Sequence, residues 1–165
     1  MKIGIIGPSN LEGLKKLNKN CEKIINEISK CVVNHEIYLV PDKGSVSELF
    51  GNKYLGNGGE NIFCLIPLQD KEFGFSWVNQ DLGKKVSCKT WRNQPENLNE
   101  RTEAMICLGY SAGGLAEIAY SKWFHKKPIY IIKELISQKL PKELEKSLDL
   151  KYVSYKKLKL DRKRI

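Results

Sequence analysis

The sequence predicts an α/β fold: a mostly parallel sheet flanked by helices on both faces, in three layers. Three observations predict it. Short apolar, β-branched runs alternate with stretches whose apolar residues recur at helical spacing. Most of these runs end at a turn rich in glycine, proline, serine or asparagine. Residues 104–132 carry the whole pattern once, as strand, small-residue turn, helix and strand, which is a βαβ unit. Parallel strands are covered on both faces, so they read as continuous apolar runs, as these do.

Residues 2–6 form the first expected strand and stop at Gly7-Pro8-Ser9-Asn10. Leu11, Leu14, Leu17, Cys21, Ile24, Ile25 and Ile28 then recur at three- and four-residue steps, which predicts an amphipathic helix through them. Residues 36–40 are a second strand, ended by Pro41-Asp42-Lys43-Gly44, and residues 45–55 a second helix with Ser45 or Ser47 as its cap. A third strand, 61–66, ends at Pro67. Residues 69–83 show no clear period and carry Phe73, Phe75 and Trp77; they read as an irregular or short helical excursion that folds over the site, although a core role for Phe75 and Trp77 is the simpler expectation. A fourth strand over 85–90 precedes Trp91-Arg92-Asn93, and a short helix spans 95–102. The βαβ unit adds a fifth strand at 104–108, a turn at 109–114, a helix at 115–125 bearing Leu115, Ile118, Ala119 and Trp123, and a sixth strand at 129–132. A helix over 141–148 and a last strand over 151–154 complete the expectation.

One domain over 1–165 is expected at this length, with a basic C-terminal tail from about 151 to 165. No apolar run approaches the ~20 residues of a membrane span, and the first ten residues lack the pattern of a signal peptide. Five scattered cysteines without a CxxC read as reduced core residues of a cytoplasmic protein. Two distant histidines supply no metal site, and no cofactor is expected. The net charge of +9 admits a nucleic-acid partner, but no aromatic residue is interleaved with the charges at the very end, so a solvated surface is the simpler reading. Of 28 basic residues only four are arginine, and Arg92 and Arg101 are the two outside the tail. Arginine offers a planar two-pronged donor that lysine lacks, which draws attention to Arg92 in a loop; Arg101, on a helix, reads as structural.

In such sheets ligands bind beyond the carboxyl ends of the strands, where strand order reverses. The loops leaving strand ends here are 7–10, 41–45, 91–93 and 109–114. A glycine turn before a helix offers free amides and the positive end of the helix dipole to an anion. Glu117 falls in the first turns of that helix, within reach of a sugar hydroxyl. Each residue also has a plainer reading. Gly113 and Gly114 allow close helix–sheet packing, Glu117 complements the dipole, Arg92 joins a surface ion pair, and Ser9 and Asn10 shape a turn and cap. Tyr110 stacks on a base or packs, and Asp42 and Lys43 read as turn residues.

The order of these motifs resembles the SLOG superfamily of Rossmann-like nucleotide-binding proteins, over residues 1 to about 133. That group includes the LOG-type, lysine decarboxylase-like phosphoribohydrolases, molybdenum-cofactor carriers and DprA single-strand DNA binders. "IGIIGPSN" matches its opening strand and turn, "PDKGSV" its second glycine loop, "IFCLIP" its third strand, "TWRN" its arginine motif and "GYSAGGLAE" its PGGxGTxxE signature. The resemblance implies a phosphate- and nucleotide-binding set of Gly7, Ser9, Asn10, Gly44, Ser45, Gly109, Ser111, Gly113 and Gly114, with Arg92 and Glu117 as the catalytic pair. It also implies a homo-oligomer. In the LOG-type enzymes the reaction is hydrolysis of the N-glycosidic bond of a nucleoside 5′-monophosphate, whose oxocarbenium-like transition state a carboxylate stabilises. Gly109-Tyr110 replaces the leading proline-glycine, Gly114 stands where threonine is usual, and the second loop has lost most of its glycines. These departures favour a carrier or sensor of a nucleotide-like ligand, such as a molybdenum cofactor, as the alternative to the hydrolase. A DprA-type single-strand binder ranks third, on charge alone.

Overall fold

The computed structural model describes residues 1–160. Seven strands form one sheet, every pairing parallel, in the order β4-β3-β2-β1-β5-β6-β7. They are β1 Lys2–Ile6, β2 Glu36–Leu39, β3 Ile62–Ile66, β4 Lys84–Ser87, β5 Ala104–Cys107, β6 Pro128–Ile132 and β7 Asp149–Val153. The chain builds outward from β1 to β4, returns across the sheet and builds outward again from β5 to β7. The reversal therefore lies between β1 and β5, which pair from Ile3↔Ala104 to Ile6↔Cys107.

Alternation along each strand divides the core in two. Ile3, Ile5, Ile37, Leu39 and Ile106 pack with α1 (Leu11–Leu17), α2 (Cys21–Cys31) and α3 (Val46–Gly56). Ile6, Leu65, Met105, Cys107 and Ile129 pack on the other face with Leu98 of α4 (Gln94–Arg101) and Ile118 of α5 (Ala112–Tyr120). This is the three-layer Rossmann-like arrangement the apolar pattern predicts. Among the described residues, no helix is long and apolar enough to cross a membrane.

Three helices differ from their expected extents. The periodic stretch from Leu11 is two helices, because Asn18 leaves the helical conformation (φ −146°, ψ 111°). Its side-chain amide donates to the Glu134 carbonyl beyond β6, a partner invisible to local periodicity. The helix of the βαβ unit starts three residues early, at Ala112, and stops at Tyr120. Ser111 caps it, so Gly113 and Gly114 belong to its first turn and not to the preceding loop. Of the four apolar residues near helical spacing, Ile118 is buried, while Trp123 is 75 % exposed. The last helix, α6, shrinks to Lys142–Glu145 and has no buried residue to hold a longer one. The excursion at 69–83 is irregular, as expected, with Val78 and Leu82 buried in the core. The start of the basic tail, residues 151–153, lies in the edge strand β7, and Leu158 and Leu160 pack on the core; residues 161–165 lie outside the described residues.

A switch-point cavity as the candidate functional site

The turns after β1 and β2 are tied together before any ligand is considered. Val46 N–H donates to the Pro8 carbonyl at 3.0 Å and Leu11 N–H to the Gly44 carbonyl at 3.2 Å. Ser45 caps α3, its hydroxyl oxygen accepting from Glu48 N–H at 3.0 Å, and Ser111 caps α5 by accepting from Gly114 N–H at 3.0 Å. Between these fixed ends lies a cavity of about 290 Å³. Gly7, Ser9, Asp42, Ser45, Trp91, Ser111, Gly113, Gly114 and Glu117 are in its wall, with Ile5, Val40, Ser47 and Ala112. A larger groove of about 670 Å³ lies by Lys2, Tyr38 and Glu103. It is at the starts of β1 and β5, away from the helix N-termini, and is not a candidate.

At the N-terminus of α5, the Ser111 side chain takes Gly114 N–H and the Ser111 carbonyl takes Leu115 N–H. The remaining first-turn amides are those of Ala112 and Gly113, and both residues line the cavity. The two glycines differ in kind. A Cβ on Gly114 would stand 2.7 Å from Ile6 Cγ2, whereas one on Gly113 would meet nothing within 4 Å. Gly114 thus lets α5 approach β1, and a threonine in its place would collide with Ile6. Gly114→Thr is expected to lower unfolding free energy by about 2–3 kcal/mol in a urea titration.

Glu117 is 9 % exposed. Its Oε1 accepts from Gln94 Nε2 at 3.1 Å, and Asn99 Nδ2 fixes its backbone carbonyl at 2.8 Å. Burial pushes its carboxyl up to about 8; the Gln94 hydrogen bond opposes this, and the nearby Asp42 charge adds to it. Asp42 is raised to about 6 by burial and by Glu48. Its Oδ1 is buried without a hydrogen-bond partner among the described residues. Among the described residues no lysine or arginine lines the cavity.

Of the predicted site residues, Gly7, Ser9, Ser45, Ser111, Gly113, Gly114 and Glu117 come together here. Arg92 does not. Its side chain is 74 % exposed, its Nη1 pairs with Glu72 Oε2 at 2.7 Å, and its guanidinium lies 5.9 Å from the Phe73 ring. Asn10 caps α1 by accepting from Glu12 N–H at 2.8 Å, and Gly44 N–H donates to Glu48 Oε1 at 3.0 Å. Gly109 has φ +124°, which excludes side chains, and packs against Pro8 and the Leu135 carbonyl. None of these four lines the cavity. Sequence reasoning passed over Asp42 and Trp91. Asp42 was a signal in plain view, an acidic residue in a strand-end loop expected to serve only as a turn.

These features define a Rossmann-like α/β protein with a small cavity at its switch point, walled by two helix N-termini and two carboxyl groups and, among the described residues, by no lysine or arginine. No protein-family model matches the chain, and no curated protein matches it. Solved structures do match in fold. The molybdenum cofactor binding protein from the phototrophic bacterium Rippkaea orientalis superposes with a TM-score of 0.66 at 13 % identity, over 94 % of this chain and 90 % of that one. The Moco carrier protein from Chlamydomonas reinhardtii gives 0.66 at 16 % identity over the same shares. The structural-genomics target TM1055 gives 0.57 at 17 %, over 81 % and 75 %.

Proposed function

We propose that the protein is a carrier or sensor that binds a small, phosphate-bearing, nucleotide-like ligand in the switch-point cavity and releases it unchanged. The observation that carries this reading is the separation of the expected catalytic pair. Glu117 is buried in the cavity wall, while Arg92 points outward to Glu72. Hydrolysis of an N-glycosidic bond by that pair needs both groups at the ribose. The phosphate would meet the amides of Ala112 and Gly113, with the hydroxyl protons of Ser9, Ser45 and Ser111 available as further donors. The shared fold of two proteins named for binding or carrying the molybdenum cofactor supports a carrier over a hydrolase, and this chain's membership of the SLOG group is part of the same proposal.

The test is a ligand screen with a turnover control. Native mass spectrometry of the freshly purified protein should show a retained phosphate-bearing small molecule. Adding nucleoside or pterin monophosphates should raise the melting temperature, and no free base should accumulate on long incubation. Release of base that disappears in Glu117→Ala would establish the hydrolase instead. Gly113→Ala separates ligand from fold: with open space around the new Cβ, stability should hold or rise by up to ~1 kcal/mol, while affinity for the phosphate ligand falls.

A further inference from the structure

The donors that the cavity offers to an anion are neutral: two amides at the start of α5 and the hydroxyls of serines. Glu117 stands in the same wall, 9 % exposed, and among the described residues no lysine or arginine is there to balance it. An ionised carboxylate in that place would present only acceptors, and a like charge, to the ligand. The hydrogen bonding of Glu117 removes the conflict. Gln94 Nε2 donates to Oε1 at 3.1 Å, so Oε1 is the acceptor oxygen and a proton on the group belongs to Oε2. Oε2 has no hydrogen-bond partner among the described residues. The backbone of the residue is held as well, by Asn99 Nδ2 on the Glu117 carbonyl at 2.8 Å. Among the described residues, the ionisable groups that act on Glu117 are Asp42, from the loop after β2, and the Cys107 thiol of β5. On α4 the groups that touch it are the uncharged Gln94 and Asn99. Burial pushes the thiol up to about 12 and leaves it neutral, while Asp42, raised to about 6, carries the charge at neutral pH. Burial first, and that charge second, keep the Glu117 carboxyl in its acid form up to about pH 8.

We propose that Glu117 binds the ligand's anionic oxygen as a hydrogen-bond donor, through a proton on Oε2, so that the protein takes up its ligand together with a proton and lets it go when that proton is lost. The inference rests on the ligand-binding reading above and adds the group that stands where a lysine or arginine would otherwise hold the anion. An O–H donor to a charged oxygen makes a short, strong hydrogen bond without placing a fixed positive charge in the wall. The ligand class follows from the donor set: an oxyanion whose oxygens accept from backbone amides, serine hydroxyls and one carboxylic acid. The proton also gives a carrier a means of release, because losing it turns the strongest donor in the wall into a repelling charge. Asp42 sets where this happens, since its charge acts on Glu117 across the cavity wall.

Isothermal titration at pH 7, 8 and 9 tests this with sulfate, cyclic AMP and cyclic GMP, anions whose own charge does not change over that range. Any of the three that binds should bind about tenfold more weakly at pH 9 than at pH 7, as the free protein loses the Glu117 proton. Repeating the pH 9 titration in buffers of different ionisation heat should show close to one proton taken up per ligand. Glu117→Gln places an N–H donor where Oε2–H stood and cannot ionise. It should bind at pH 9 about as tightly as the wild type does at pH 7, with no proton taken up. A wild-type affinity that stays level from pH 7 to 9, or a pH profile unchanged in Glu117→Gln, overturns the Glu117 assignment and leaves the ligand-binding reading standing. Failure of all three anions to bind at any pH overturns both. The wild-type profile and its proton count use the unaltered chain, so they decide the matter whether or not the variant folds.

Discussion

Glu117→Gln is expected to make the protein more stable above pH 8 and to remove most of the pH dependence of its unfolding between pH 5 and 8. The folded-state carboxyl sits near 8 against an ordinary value of 4.5, with burial as the main cause. Between those values the folded chain holds a proton that the unfolded chain has released. Stability therefore falls as pH rises through this window and levels off above it. A shift of this size corresponds to roughly 5 kcal/mol at most. Glutamine keeps the shape, and its carbonyl still accepts from Gln94, so the variant removes the charge without opening a cavity. Urea titrations at pH 5, 7 and 9 should show wild-type stability dropping and the variant nearly flat over the same range. Asp42 contributes a smaller slope of the same sign between about 4 and 6, because it too is raised by burial. Parallel wild-type and variant curves would mean that Glu117 is not held in its acid form.

Lys127→Met is expected to cost about 2–3 kcal/mol, seen as a loss of roughly 5–10 °C in melting temperature. Lys127 is 4 % exposed, and its ammonium donates to the Asn99 carbonyl, the Thr102 carbonyl and Thr102 Oγ1. Those carbonyls are the last of α4, where a helix accumulates unpaired acceptors and partial negative charge. Methionine keeps the length and the apolar stem of the side chain. What it removes is the donor, and Thr102 O is left in a buried place. The position also bears on the site, because α4 carries Gln94, which holds Glu117, and Asn99, which holds the Glu117 backbone. The variant should therefore weaken ligand binding indirectly, whereas an exposed change such as Lys122→Met should leave both readouts unchanged.

Most strands were legible because each is a short apolar run stopped by turn residues, and the parallel arrangement followed because both faces of those runs are apolar. The loops that converge on the cavity were legible for the same reason: they are the strand ends. Which side chains point into the cavity was not. Arg92 and Trp91 are adjacent in sequence, yet one turns out to Glu72 and the other lines the wall, and the choice is made by Asp70 and Gly74 in a segment with no periodic signal. The burial of Lys127 depends on α4 ending beside it.

The layers, the strand-ending loops and the glycine turn that leads into α5 follow from hydrophobic period and turn chemistry, which are local properties. Long-range contacts set the break at Asn18, the need for glycine at 114, the separation of Arg92 from Glu117 and the place of Asp42 and Trp91 in the wall of one cavity. Each of these turns on a contact between segments far apart in the chain: Asn18 with Glu134, Gly114 with Ile6, Arg92 with Glu72, and the loop after β2 with residues 77–79. Local pattern carries no record of such contacts, since they come into being only when the sheet brings its loops to one edge.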